Sequence, residues 1–255
     1  MANSQSGDSM VQRIVRILET FDGARTNQTP SEIARRTGLP VLSTHRIVGE
    51  LVTSGLLERE EQGSVRIGLK LWELTTRGSR ALGLRQLAMP FMADVQREIR
   101  EHTQLAVLDE HEVLFIERLS DRDSGANITK VAGRLPIHAS SSGLVLLAHS
   151  DPALQEAVLA APLKPVSAET ITDPRLLRDK LHEIRRIGYA FAPGSIESVS
   201  TGIAVPVKDP FGGVVAALSV VLPRGSEHEP ATVRVLKQAA AGITQTIRDS
   251  NFISH

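Results

Sequence analysis

Three consecutive serines, Ser140, Ser141 and Ser142, precede Gly143 and the apolar run Leu144-Val145-Leu146-Leu147-Ala148. Serines ahead of such a run mark the start of a partly buried helix. Its free backbone N–H groups and positive dipole end suit a carboxylate. The same residues could act only as caps, because serine is a preferred cap. A second group, Ser31, Arg35, Ser43, Thr44, His45 and Arg46, brings hydroxyl, guanidinium and imidazole groups together near the other end. Such groups reach phosphate oxygens and base edges, or else form a solvated face.

Reaction chemistry finds no comparable pattern. The eight histidines form no H-x-x-x-H or H-E-x-x-H pair, so no metal site is expected. A G-x-S-x-G elbow and a Gly-rich phosphate loop are both missing. Cysteine is absent, which excludes disulfides and thiol chemistry. Glu227-His228-Glu229 reads as a solvated loop before the last helix. No catalytic residue and no cofactor is expected. A small hydrolase fused to a DNA-binding domain is the enzymatic alternative, and turnover of a bound ligand would revive it.

These groups need elements to hold them. Val11, Ile14, Val15, Leu18 and Phe21 recur at helical spacing and predict a helix over 10–22. Thr29-Pro30-Ser31-Glu32 is a helix start: Thr29 caps, Pro30 suits the first position, and Glu32 completes a capping box. Gly38 ends that helix, and Leu39-Pro40 turns into a third helix over 41–54, which buries Ile47, Val48, Leu51 and Val52 and turns Ser43, Thr44 and Arg46 outward. Leu56–Arg59 and Ser64–Ile67 flank a Glu-Glu-Gln-Gly turn and predict a hairpin. Two short helices joined by a Gly-containing turn, followed by a hairpin, make a winged helix-turn-helix. Arg59 or Arg66 would then reach phosphate. A small helical protein-binding module is the plainer alternative.

At 255 residues, with 41% apolar and 23% charged residues, two domains are expected. No apolar run reaches membrane-spanning length. Residues 1–9 lack a signal-peptide pattern and read as a disordered lead-in, and a cytoplasmic location fits. Net charge is zero, and residues 1–70 hold 9 Lys+Arg against 8 Asp+Glu, so charge gives DNA binding almost no support. The expected organisation is a DNA-binding domain over 10–68, a linker helix over 69–88 and a larger domain over 89–251. A new helix starts at Pro90, and Trp72 packs in a core or a dimer contact. Strands are expected at 104–108, 112–119, 127–131, 201–208 and 213–222, and helices at 140–149, 151–161, 173–187 and 229–249. The fold class is α+β.

Ser31-Glu32-Ile33-Ala34-Arg35-Arg36-Thr37-Gly38-Leu39-Pro40 with Thr44-His45-Arg46-Ile47-Val48 closely resembles the IclR family of bacterial regulators. Leu135–Gly143, Gly188-Tyr189-Ala190 and Ile203–Val207 resemble its effector domain. The resemblance implies a GAF/PAS-like sensor with a curved antiparallel sheet, a double-stranded operator as partner, and a homodimer or dimer of dimers. It implies a small organic acid held by Ser141, Ser142 and Gly143, with Ala192, Gly202, Ser219 and Val221 around it. Relatives that bind small oxo-acids tend to carry Asp, Cys and Ser where this chain has Ala192, Gly202 and Val221. A less polar wall favours a larger, flatter acid such as a hydroxybenzoate. A glyoxylate- or pyruvate-type acid, or a dimer with no ligand at all, are the alternatives. Val41-Leu42 departs from the family pattern. The favoured reading is that it staples the recognition helix to the core, the other being contact with thymine methyls.

Overall fold

The computed structural model describes residues 8–121, 124, 127–226 and 228–250. Residues 1–7 of the expected lead-in, and Glu227, lie outside them. The chain divides between Ser79 and Arg80 into two compact units.

In the first unit, α1 (Met10–Leu18) starts at the expected residue, where Ser9 caps it and exchanges a capping box with Gln12. It stops before the expected residue 22, where Asp22 and Arg25 close a turn. Next, α2 (Pro30–Thr37) begins at Thr29, whose side chain accepts from Glu32 N while Glu32 reaches back, and ends at Gly38 in the left-handed region (φ 67°). Helix α3 (Val41–Thr53) follows, then β1 (Leu57–Arg59) paired antiparallel with β2 (Val65–Ile67). Ile17, Ile33, Leu39, Ile47, Val48, Leu51, Leu57 and Val65 form the core. Two expectations fail on α3. Thr44 does not face out: it is fully buried, its Oγ1 donating to Pro40 O at 3.1 Å. Val41 and Leu42 do not staple the helix, being 54% and 86% exposed. Helical geometry turns residues 41, 42, 45 and 46 away from the side carrying 44, 47, 48 and 51.

The single helix expected over 69–88 is two. Helix α4 (Leu69–Gly78) ends in Thr75, Thr76 and Gly78, with both threonine hydroxyls bonded back to Trp72 O, and Ser79 is extended. Threonines that bond back in this way, together with glycine, weaken a helix. Helix α4 buries none of its residues, so Trp72 is not in a core.

In the second unit, α5 (Arg80–Ile99) runs straight through Pro90 rather than restarting there. Leu84, Ala88, Met92 and Val95 are buried on both sides of the proline, and their packing outweighs the lost backbone bond. Six strands follow: β3 (His102–Asp109), β4 (Glu112–Leu119), β5 (Arg134–Pro136), β6 (Ala190–Pro193), β7 (Ser200–Lys208) and β8 (Val214–Pro223). They form one curled antiparallel sheet in the order β5-β4-β3-β8-β7-β6. The strand expected at 127–131 is absent. Thr129 N instead bonds to Asn127 Oδ1 in a tight local turn, and β5 lies further on. Helices α6 (Ser141–Ala148), α7 (Pro152–Ala160), α8 (Pro174–Ile187) and α9 (Glu229–Asp249) complete the unit.

Strand alternation divides the sheet's two faces. Leu105, Ile203, Val205, Leu218 and Val220 pack against α5 and α9. Ala106, Phe115, Ala192, Ala204 and Ala217 pack against α6 and α8. The small side chains on this second face let α6 approach closely.

Candidate functional site

The face that packs on α6 contains a small cleft, with a cavity volume of about 30 Å³, lined among others by Gln104, Phe115, Asn127, Thr129, Leu135, Ser141, Ser142, Ala192, Glu197, Gly202 and Val221. Strand register explains why distant residues meet here. Ala192 pairs with Gly202, Gly202 with Val221, and Gln104 with Ser219, so they form rows across four strands. Of the seven residues expected around a ligand, the structure brings Ser141, Ser142, Ala192, Gly202 and Val221 to the cleft. Gly143 and Ser219 stand behind it.

At the start of α6, Ser140 Oγ caps the helix by accepting from Gly143 N at 3.0 Å. The Gly143 amide is therefore occupied, and the Ser141 and Ser142 amides are the open ones among the described residues. Gly143 has a packing reason: a Cβ there would lie 2.2 Å from Ile137 O. Gly202 has another, since a Cβ would sit 2.6 Å from Ser141 Oγ. Glycine on β7 thus gives the Ser141 hydroxyl its room beside the cleft.

One hydrogen-bond chain links the polar wall. Ser142 Oγ donates to Ser219 Oγ (2.9 Å), and Ser219 Oγ to Gln104 Oε1 (3.5 Å). Gln104 Nε2 then donates to Thr129 Oγ1, and Thr129 Oγ1 to Asn127 Oδ1 (2.7 Å). Sequence reasoning missed Gln104, Asn127, Thr129 and Glu197. A glutamine inside the apolar strand β3, on the same side as Ala106, was a usable signal. The loop residues offered none.

On the first unit, Ser31, Arg35, His45 and Arg46 are exposed and Ser43 is half-buried. Ser31 Oγ lies 3.5 Å from His45 Nε2, which places the start of α2 beside the outward face of α3. Arg46 pairs with Glu50 at 2.6 Å. Arg66, one of the two wing arginines expected to reach phosphate, pairs with Glu58 at 2.9 Å and Glu60 at 2.8 Å on the exposed face of the hairpin. Those carboxylates raise its pKa further, the Glu58 hydrogen bond contributing most. The Arg59 guanidinium donates to Gly63 O at 3.3 Å.

Two domain models match the chain in order. The IclR helix-turn-helix domain covers residues 10–61, and the bacterial transcriptional regulator IclR C-terminal domain covers residues 79–245. The chain belongs to the IclR family. It is 30% identical over 249 residues to the HTH-type transcriptional regulator XynR of Escherichia coli (strain K12), covering 93% of this chain and 96% of that one. A solved IclR homolog from Microbacterium hydrocarbonoxydans, complexed with 4-hydroxybenzoate, is 54% identical. It covers 94% of this chain and 99% of the homolog, with a TM-score of 0.88. Another, from Microbacterium sp. strain HM58-2, is 53% identical over 93% and 97% of the two chains, with a TM-score of 0.62. The IclR-family chain is accordingly a DNA-binding transcription regulator with an effector unit, not an enzyme. Among the described residues no helix is long and apolar enough to cross a membrane.

Proposed function

We propose that this IclR-family regulator senses an aromatic carboxylic acid of the hydroxybenzoate type. One observation carries the reading: a single cleft combines open amides at Ser141 and Ser142 with walls from Phe115, Leu135, Ala192 and Val221. A carboxylate fits the helix start, and a flat ring gains from the apolar wall at roughly 25 cal/mol per Å² buried. A very small oxo-acid would find few polar partners at Ala192, Gly202 and Val221. The 4-hydroxybenzoate complex of the Microbacterium hydrocarbonoxydans homolog supports the same choice.

Ser31, Arg35, Ser43, His45 and Arg46 are the DNA contacts in this reading, with Arg59 or Arg66 reaching phosphate from the wing. Thr44 holds α3 in place. The exposed Leu69, Trp72 and Leu74 of α4 are the surface a second copy would cover, giving a homodimer or dimer of dimers on paired half-sites. A ligand then shifts operator affinity by its preference for one arrangement, typically about 1–3 kcal/mol.

Calorimetry of the purified protein with 4-hydroxybenzoate, glyoxylate and pyruvate tests the ligand, and gel shift on its operator with each acid tests the response. The expected result is binding of 4-hydroxybenzoate alone, with altered operator affinity. Binding of the oxo-acids without the benzoate would overturn it.

A further inference from the structure

The polar chain in the cleft ends at Asn127. Its Oδ1 accepts from both Thr129 N (2.9 Å) and Thr129 Oγ1 (2.7 Å), which fixes the amide. Its Nδ2 is buried with no hydrogen-bond partner among the described residues. A buried donor left unpaired is unfavourable, and a native structure keeps one where a ligand or a solvent molecule completes it. The neighbouring Ile128 N donates to Glu197 Oε2 at 3.2 Å. Asn127 and the Glu197 carboxylate therefore adjoin one another, and both line the cleft.

A fixed N–H donor beside a carboxylate acceptor is the complement of one group in particular. A hydroxyl accepts through its oxygen and donates through its hydrogen. A carboxylate ligand group would be repelled by Glu197, and an apolar end would leave Asn127 Nδ2 unpaired.

We infer that Asn127 and Glu197 form a hydroxyl-reading subsite, Asn127 Nδ2 donating to a ring hydroxyl of the ligand and Glu197 accepting its hydrogen. The assignment rests on the aromatic-acid reading of the cleft and deepens it, naming the residues that read the hydroxyl and placing that hydroxyl away from the carboxylate. Selectivity for the hydroxyl then belongs to the 127–129 and 194–199 loops, and affinity for the acid to α6.

The test is calorimetry of the full chain with 4-hydroxybenzoate and 4-methylbenzoate, which match in shape and differ in hydrogen bonding. The unaltered protein binds the hydroxyl compound on the order of 10-fold more tightly, the loss expected for one unpaired buried group. Asn127→Ala and Asn127→Asp each bring that ratio to within about twofold of one, while binding of 4-methylbenzoate persists and reports an intact cleft. A ratio near one in the unaltered protein overturns the subsite and leaves the aromatic-acid reading standing. So does an unchanged ratio in both variants, or an equal loss of both compounds, which marks Asn127 as structural. Failure of the unaltered protein to bind either compound overturns both.

Discussion

Leu42 presents an apolar side chain to solvent. It is nearly fully exposed at the start of the recognition helix, beside Val41 and on the side that carries His45 and Arg46. An apolar side chain presented to a major groove contacts thymine C5-methyl groups. Leu42→Ala is expected to weaken operator binding by ~1 kcal/mol. Replacing the contacted thymines by deoxyuridine in a gel shift should weaken the unaltered protein similarly and the variant hardly at all. An equal loss in both proteins would place the methyl groups elsewhere. Thr44 carries the opposite lesson. Its polarity suggested a base contact, yet its hydroxyl serves the Pro40 carbonyl inside the protein. Residue type alone did not separate the two, because Thr44 and His45 are adjacent in sequence and a helix turns each to a different side.

Helix starts were the most legible elements, because caps are chemistry written within four residues. Thr29 with Glu32 acts as the side-chain pattern implies, and the helices expected from 151 and 173 begin under Asp151 and Asp173 caps. The Glu32 carboxyl is held below its ordinary pKa, first by the Thr29 N–H and then by the Thr29 hydroxyl. Glu58 is lowered as well, first by the Leu69 N–H and then by Arg66. A group with a lowered pKa in the folded state stabilises it fully above the unfolded pKa and loses that contribution as pH falls through the folded value. Thermal melts followed by circular dichroism should therefore fall in midpoint from about pH 5 to pH 3. Glu32→Gln should flatten that fall, and an unchanged slope would remove the capping box as its source. Elements governed by distant packing were poorly legible. Pro90 sits inside α5 because buried residues on either side hold the helix, and β6 is a four-residue edge strand paired only with β7. The cleft was half legible for the same reason. Ser141 and Ser142 announce themselves locally, whereas Gln104 meets Ser219 only through strand register.

Across the effector unit, one sheet separates two cores with different duties. Leu236 is fully buried on the α5–α9 side, and Gly143 sits on the α6 side against Ile137 O. Leu236→Ala should cost ~2–5 kcal/mol of stability while leaving the dissociation constant for 4-hydroxybenzoate unchanged in the folded fraction. Gly143→Ala should cost ~1–3 kcal/mol by overpacking and also weaken the ligand, because α6 must move. Parallel chemical denaturation and calorimetry would check both, and weakened ligand binding in Leu236→Ala would mean that the faces are not separable. The hydrogen-bond chain from Ser142 to Asn127 extends this logic beyond the residues a ligand touches. Every link donates in the same sense, so the wall has a polarity, like a row of dominoes all leaning one way. Reversing what the far end offers would require several hydroxyls to rotate together. Ser219, hidden behind the cleft, could then retune ligand preference without meeting the ligand, and new specificities in such a receptor could arise from residues out of its sight.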